Sequence, residues 1–392
     1  MSGLSRDRLT WMVYCQLGIW GYFLYGFGPT IPLLRDDLHV SHAVGGLHAT
    51  VTASAAIVVG LVGDPLVRRF GRLWLLWGGI TLLCLGTVGY CATRMLPVTL
   101  TSALVFGVGG ALIVNMANAT LMDHHEERGP AALSEANAVA GAAGIAAPLV
   151  VGLVVAVGVG WRAGLLVTLP LAAATALVFG RVRMPHAHDT AAHRRGRARL
   201  GRRFWITWVM LVCTVGVEFC LSLWASELLR RRDGMPAWAA TAAWSILLVG
   251  LTVSRVFGGR LVLAHGLDWL LGRALVVLGL GFVAFWLATT PWLAVPALAV
   301  AGLGLGVQYP LTAGRAIAAA GGRSDLAAGR LSVAAGLAAG GAPFVLGALA
   351  DRYGVHTAFL LVPLLVVVAL LGLFASGPEP ALAQSAVREQ LG

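Results

Sequence analysis

Runs of apolar residues follow one another along nearly the whole chain, separated by short polar segments. A helix of about 20 apolar residues crosses the hydrocarbon core of a bilayer, so each run predicts one transmembrane span. Spans 1 to 6 are predicted at residues 11–34, 43–63, 73–92, 97–122, 131–157 and 163–180. Spans 7 to 12 are predicted at residues 204–229, 237–257, 270–289, 292–319, 331–350 and 357–375.

Between the sixth and seventh runs lies a basic strip at residues 181–203, which holds eight arginines and one aspartate. Such a strip is solvated and repels itself, so it is typical of a cytoplasmic linker between membrane bundles. We therefore expect an all-α membrane protein with three parts. These are a six-helix bundle at 1–180, the linker at 181–203, and a second six-helix bundle at 204–392.

The two bundles resemble each other in sequence when the chain is shifted by 195 residues without a gap. Six helices is an even number, so both units would enter the membrane from the same side, as in a parallel repeat about a pseudo-twofold axis. The informative matches involve tryptophan, proline, arginine and paired glycines: Trp74 on Trp269, Pro148 on Pro343, Arg128 on Arg323, Gly71 on Gly266, and Gly107 and Gly109 on Gly302 and Gly304.

Composition agrees with a polytopic membrane protein, since 58% of the residues are hydrophobic and only 11% are charged. Soluble proteins carry about 25% charged residues. The net charge of +11 comes from arginines that flank apolar runs, which indicates anchoring to an anionic inner leaflet rather than nucleic-acid binding. The five cysteines all fall inside apolar segments and are interpreted as small hydrophobic residues.

The arginines also predict the orientation of the chain in the membrane. With the N-terminus inside, twenty arginines lie on the cytoplasmic side and seven outside, with Arg315 left uncounted within span 10. The positive-inside rule then places both termini and the linker in the cytoplasm, and the protein in the plasma membrane. The cluster Arg230–Arg232 is an exception on the outer side that the sequence does not explain.

Polar residues are distributed unevenly among the spans. Spans 3, 6, 9 and 12 are almost wholly apolar and are predicted to face lipid, whereas spans 1, 4, 7 and 10 carry polar side chains. Such groups are costly at membrane depth unless they face a bundle interior or a water-filled cavity. The candidates for a substrate cavity are Tyr22, Tyr25, Asn115, Asn118, Thr214, Ser222, Gln308, Tyr309, Thr312 and Arg315. For each of them, packing between helices is the alternative.

Glu218 is the candidate for proton coupling. It lies about 20 Å along span 7 and shares one helical stripe with Thr214 and Ser222. Removal from water favours the neutral form of a carboxyl group, so a glutamate at this depth could exchange protons near neutral pH. A hydrogen-bonded glutamate that fixes helix packing is the alternative. Arg315 could bind an anionic substrate, act as a counter-ion to Glu218, or extend to the cytoplasmic interface.

Other apparent motifs do not predict a cofactor, a metal site or an enzyme. Gly302-x-Gly304-x-Gly306 lies inside an apolar run rather than after a strand, and no Walker A sequence is present. The pair His124-His125 lacks matching partner ligands in the sequence. We therefore expect protons and a small molecule as the only ligands, in a protein that acts as a monomer.

Six plus six helices, a long basic central loop and a parallel repeat resemble the major facilitator superfamily over the whole chain. The segment Gly60-x-x-x-Asp64 followed by Arg68-Arg69-Phe70-Gly71-Arg72 resembles its signature loop between spans 2 and 3, although Asp64 stands one helical turn early. The second half is similar in its overall sequence pattern to actinobacterial members of this superfamily. The resemblance implies a cytoplasmic gate formed by Asp64, Arg68, Arg69, Arg72 and Arg330, and a solvated positive-inside loop is the alternative.

Two further motifs bear on the direction of transport. The span 4 arginine of drug/proton antiporters is absent, since Ala103 and Val105 stand four residues before Gly107 and Gly109. Spans 5 and 11 both carry a glycine-proline pattern around Pro148 and Pro343. A pattern present in both halves favours close helix packing over an export signature.

The sequence and the resemblance together predict a secondary transporter that works by alternating access. We expect proton coupling through Glu218 and export of a small amphipathic or drug-like compound. Proton-coupled uptake of a sugar or another small organic solute is the alternative. A membrane receptor that does not transport is a more remote one.

Overall fold

A computed structural model describes residues 6–183, 200–321 and 324–377. Across these ranges the regular structure is helical, with no strand. The first half contains α1 Arg8–Leu38, α2 His42–Phe70, α3 Arg72–Ala92, α4 Leu96–His125, α5 Gly129–Ala156, α6 Trp161–Leu166 and α7 Thr168–Phe179. The second contains α8 Arg202–Arg232, α9 Ala237–His265, α10 Leu267–Leu287, α11 Pro291–Leu305, α12 Gln308–Ala319, α13 Ser324–Tyr353, α14 Val355–Ala358 and α15 Leu361–Ala375.

Each predicted span contains a helix, and three spans are broken: span 6 into α6 and α7, span 10 into α11 and α12, and span 12 into α14 and α15. Eleven helical stretches in the described residues are long and apolar enough to cross a membrane. The 31-residue helix α1 is not among them, although it is long enough. Its tyrosines, glycines and prolines lower its hydropathy, and two of these tyrosines, Tyr22 and Tyr25, are predicted to face a cavity.

Helix α2 is longer than the apolar run that predicts it. The helix continues through Pro65 and ends only at Gly71, which has a positive φ of 76°. Arg68 and Arg69 therefore lie in the last turn of α2, where cations are favoured by the helix dipole. The predicted loop between spans 2 and 3 is corrected to a one-residue turn.

The internal repeat is visible in backbone contacts as well as in residue types. Gly266 ends α9 with a positive φ of 89°, as Gly71 ends α2. A Cβ atom added at Gly107 would lie 2.7 Å from the carbonyl oxygen of Thr52. One added at Gly302 would meet the carbonyl oxygen of Leu247, 195 residues after Thr52. Only a glycine allows the helices to approach this closely, so the repeat preserves the packing between the second and fourth spans of each half.

The two halves meet along three helix pairs: α1 with α8, α2 with α13, and α5 with α9. We call the ends of the helices near residues 183 and 200 the linker side, and the opposite ends the far side. The glycine-proline motifs bring the halves together toward the far side. A Cβ atom at Gly347 would lie 2.6 Å from the carbonyl oxygen of His42, and one at Gly152 would lie 2.7 Å from that of Trp238.

Toward the linker side the same helices separate. Gly63 of α2, Gly141 of α5, Gly259 of α9 and Gly329 of α13 have no atom within 4 Å of an added Cβ. The small residues of spans 5 and 11 thus serve close packing on the far side, while the linker side is open. Of the predicted linker at 181–203, residues 184–199 lie outside the described residues.

Candidate functional site

A cavity of about 1730 Å³ lies between the two halves and reaches the linker side. Its inner part is lined by α1, α4 and α8, as the polar residues of spans 1, 4 and 7 predict. Its mouth is lined by the linker-side ends of α2, α3 and α13, which include Phe70, Trp74 and Gly329. The cavity would give a solute from the linker side access to the middle of the protein.

At the inner end of this cavity Glu218 meets a residue from the other half. The hydroxyl of Tyr25 in α1 donates to Oε1 of Glu218 in α8, at 3.4 Å. Glu218 stands 16 residues after Arg202, or about 24 Å along a helix of 31 residues. A carboxyl group at the middle of the bundle therefore forms a hydrogen bond across the interface between the halves.

Arg255 of α9 lines the cavity, although the sequence predicts a position at the cytoplasmic edge of the membrane for it. It lies ten residues before His265, about 15 Å inside the end of α9, and its side chain faces the cavity. It is close enough to Glu218 to interact with it electrostatically. The internal repeat does not indicate a role for this arginine, since the equivalent residue of the first half, Gly60, has no side chain.

Three other predicted cavity residues also line this space. Asn115 of α4 and Tyr309 of α12 are exposed to it, and Ser222 of α8 lies one turn beyond Glu218. With Tyr25, Thr52 and Ser332, they give the cavity six uncharged side chains that carry a hydroxyl or an amide group. Most of the remaining inner surface is aliphatic or aromatic, and includes Trp20, Phe27 and Phe219.

The other uncharged candidates do not line the cavity. Tyr22 is buried, and its hydroxyl donates to the carbonyl oxygen of Gly164 at 2.7 Å. The Thr214 hydroxyl donates to the carbonyl oxygen of Leu211, and Nε2 of Gln308 to that of Gly304. Thr312 is fully buried, and Asn118 is half-buried outside the cavity lining. These contacts agree with the packing alternative that the sequence left open, and the role of these residues in substrate binding stays a prediction.

Arg315 does not face Glu218 or the cavity. Its side chain is 6% exposed and forms an ion pair with Asp268 of α10, and it donates to the hydroxyl of Ser376 at 2.9 Å. It joins α12 to α10 and to the end of α15 on the linker side. Arg315 therefore has structural contacts in this conformation, and its roles in substrate binding and as a counter-ion to Glu218 stay predictions.

Among the described side chains of the predicted cytoplasmic gate, none joins the two halves. Arg72 pairs with Asp123 of α4 at 2.5 Å, within the first half, and Arg69 lies over the ring of Phe70. Arg68 lines the cavity mouth, and Arg330 is exposed. The side chain of Asp64 lies outside the described residues. This placement agrees with a cavity that is open on the linker side.

The halves are instead joined by charged residues on the far side. Arg35 of α1 pairs with Glu227 of α8 at 2.9 Å, and Arg230 pairs with Asp36 at 2.9 Å. Arg35 and Arg230 are equivalent positions of the repeat. The outer arginine cluster that the sequence leaves unexplained thus forms contacts: Arg231 pairs with Glu227 one turn away, and Arg232 donates to the carbonyl oxygen of Trp286.

Within the described residues, no group of three or more histidine, cysteine, aspartate or glutamate side chains could hold a metal ion.

Comparisons with known proteins agree with this architecture. Residues 13–323 match the sequence profile described as Major Facilitator Superfamily. A search of curated proteins gave no match. A bacterial homolog of the human lysosomal transporter Spinster, in an inward-facing and occupied conformation, superposes with a TM-score of 0.79 at 13% identity, covering 97% of this chain and 99% of that one. The nucleoside transporter NupG superposes with a TM-score of 0.72 at 14% identity, covering 94% and 98%.

Proposed function

Since this chain belongs to the major facilitator superfamily, we propose that it is a secondary transporter that exchanges protons at Glu218 for a small amphipathic compound. Transport proceeds by alternating access, with the two halves rocking about the central cavity. The solved structures are less than 25% identical to this chain and are similar in fold alone. The choice of substrate and coupling ion therefore rests on the site.

The observation that carries the proposal is the hydrogen bond between Tyr25 and Glu218, which spans the two halves at the inner end of the cavity. An ionised Glu218 accepts this bond and attracts Arg255. A protonated Glu218 loses its charge and its attraction for Arg255, and its hydroxyl becomes a donor. Protonation therefore changes the forces between α1, α8 and α9, which is the link that proton-coupled transport requires.

The cavity surface supports an amphipathic substrate over a sugar. Six hydroxyl or amide side chains supply few hydrogen-bonding groups for a space of about 1730 Å³, and apolar side chains supply most of the rest. Sugar hydroxyls that enter such a site would exchange hydrogen bonds with water for apolar contacts, at a cost. A compound with an apolar body and one polar or cationic end fits the lining better.

Direction follows from the orientation that the arginines favour, with the linker side in the cytoplasm of a plasma-membrane protein. A cavity open to that side can take an amphipathic compound from the cytoplasm while Glu218 is ionised. After the cavity opens to the far side, a proton from that side would bind Glu218 and displace the compound. The protonated protein would then return to the conformation that is open to the cytoplasm. This order gives proton-driven export.

The test uses the purified protein in proteoliposomes with an imposed pH gradient and an internal pH dye. A panel of amphipathic cations is compared with sugars and nucleosides. We expect an amphipathic cation to drive proton movement through the parent protein and not through Glu218→Gln. The matched control is Glu135→Gln, because Glu135 pairs with Arg6 at 2.8 Å and does not line the cavity.

Full proton coupling in Glu218→Gln would overturn the role of this residue. Sugar-driven proton movement alone would favour the uptake alternative. Absence of substrate counterflow for every compound in the panel would indicate the receptor alternative.

A further inference from the structure

Helices α2 and α13 run antiparallel at the contact between the two halves, and they move apart toward the linker side. The distance from an added Cβ on α13 to the nearest atom of α2 grows along the pair: 2.6 Å at Gly347, 2.9 Å at Gly340 and 3.5 Å at Gly336. The nearest atoms belong in turn to His42, Thr50 and Ile57. Close packing between these helices therefore ends near Ile57.

Beyond Ile57 a gap separates the two helices. The glycines that continue this register toward the linker side, Gly63 in α2 and Gly329 in α13, have no atom within 4 Å of an added Cβ. Val333 of α13 lies along the gap, where it lines the central cavity and is 38% exposed. The cavity is thus open at its side, between α2 and α13, as well as at its end.

The depth of this gap matches one leaflet of a bilayer. Helix α2 has 29 residues and is about 43 Å long, which is the thickness of a bilayer with its headgroup regions. Ile57 lies in the middle of this helix, and Arg68 lies in its last turn, about 16 Å nearer the linker side. The gap therefore extends from the middle of the membrane to the headgroups of the linker-side leaflet.

The walls of the gap are mostly apolar, and its linker-side end is basic. Arg68 lines the cavity mouth on α2, and Arg330 is exposed on α13. Neither arginine forms an ion pair within the described part of the chain. The wall residues are mainly glycines and aliphatic side chains: Ile57, Gly60, Gly63 and Val67 of α2, and Val333 and Gly336 of α13.

We propose that a phospholipid with an anionic headgroup binds in this gap, with one acyl chain between α2 and α13 and its phosphate group at Arg68 and Arg330.

The two parts of such a lipid match the two parts of the gap. An acyl chain between the helices removes their apolar walls from the water of the cavity, which is favourable. A guanidinium binds a phosphate group through parallel charge-assisted hydrogen bonds. Basic pockets between membrane helices select lipids whose headgroups carry a net negative charge. A zwitterionic phospholipid brings a cationic group to the same arginines and is bound less well.

The other helix pair that crosses between the halves does not form the same site. Gly141 of α5 and Gly259 of α9 also lack close neighbours. Among the described residues, however, none of α5 lines the cavity, and α9 contributes Arg255 alone. The outer surface of α9 therefore serves as a reference that contacts ordinary bilayer lipid.

The experiment measures which lipid lies beside a fluorophore attached at Val333→Cys. The full chain, with its five native cysteines replaced by alanine, is placed in nanodiscs of equal parts phosphatidylglycerol and phosphatidylcholine. Brominated acyl chains, which quench fluorescence on contact, are carried by the phosphatidylglycerol in one preparation and by the phosphatidylcholine in the other. The readout is the ratio of quenching between the two preparations, so the overall lipid composition never changes.

The matched reference is the same fluorophore at Val256→Cys. Val256 lies nine residues before the linker-side end of α9, as Val333 lies nine residues after the linker-side start of α13. It is 68% exposed and does not line the cavity. The two labels therefore lie at about the same depth, one in the gap and one on the outer surface.

We expect phosphatidylglycerol to quench about fivefold more strongly than phosphatidylcholine at residue 333, and about equally at residue 256. Arg68→Gln and Arg330→Gln should each lower the ratio at residue 333, and the double variant should bring it close to one. Arg260→Gln removes an exposed arginine of α9 and should leave the ratio unchanged.

A ratio near one at residue 333, the same ratio at both labels, or an undiminished ratio in the double arginine variant would overturn the proposal. The first two outcomes are tested with every arginine in place. The measurement requires neither transport nor Glu218, so a failure of the proposed proton coupling would leave this result standing.

Discussion

Nε of Arg255 donates to the carbonyl oxygen of Gly306 at 3.1 Å, across the contact between α9 and the break in span 10. This is the carbonyl that residue 310 would bond in a continuous helix, and residue 310 is a proline without an amide hydrogen. The break lies at Gly306 and Val307, one turn before this proline. A cavity arginine near Glu218 therefore also stabilises the broken helix.

The first prediction concerns this pair. Arg255→Gln should lower the free energy of unfolding by about 1–3 kcal/mol, because the Gly306 carbonyl loses its partner. The added change Pro310→Ala supplies an amide hydrogen at the correct position and should restore part of this loss. Thermal unfolding in detergent measures both effects. Arg260→Gln, on the exposed surface of α9, is the control and should change stability little. Equal losses with and without Pro310→Ala would contradict the assignment.

The second prediction separates two tyrosines that the sequence treats alike. Tyr22→Phe should lower stability by about 1–3 kcal/mol, since the buried carbonyl of Gly164 loses its donor, and should leave substrate affinity unchanged. Tyr25→Phe should change the pH dependence of transport, because it removes the hydrogen bond to Glu218. Thermal unfolding and transport assays at several pH values test the pair. Altered affinity in Tyr22→Phe would place that residue in the substrate path.

The third prediction concerns helix packing on the far side. Gly347→Ala should increase the fraction of molecules that are open on the far side. The new Cβ would lie 2.6 Å from the backbone oxygen of His42, which belongs to the other half. The control is Gly341→Ala on the same helix, where no atom lies within 4 Å of an added Cβ. The readout is the distance between two spin labels, attached at Met95→Cys and Trp292→Cys on the far side of the two halves. The packing role is wrong if both variants give the same distribution.

The fourth prediction concerns Arg315. Arg315→Met should lower the free energy of unfolding by about 1–3 kcal/mol, because it removes the ion pair with Asp268, whose side chain is 29% exposed. The double variant Arg315→Met with Asp268→Leu should recover most of that loss. Substrate affinity should remain that of the parent protein in the double variant. Recovered stability with lost binding would instead support the substrate role that the sequence suggested.

The local sequence was sufficient for much of the fold and for part of the cavity. Apolar runs locate the helices because a bilayer excludes unpaired backbone groups, and a helix of about 20 residues satisfies them internally. The 195-residue repeat locates the close contacts of Gly107 and Gly302, because only glycine allows them. The depth of Glu218 follows from helical rise alone, and Tyr25, Asn115 and Tyr309 were predicted from the cost of polar groups in lipid.

Which side chains share the cavity was decided only by the tertiary structure. A helix has several buried faces, so burial by itself does not distinguish a cavity from a contact between helices. Tyr22 and Tyr25 are less than one turn apart in α1, yet one bonds Gly164 and the other bonds Glu218. Arg255 has no counterpart in the first half, and His42 and Asp351 are 309 residues apart. Arg35 and Glu227 form an ion pair because the packing of the two halves removes both side chains from water together, and a charge removed from water requires a partner.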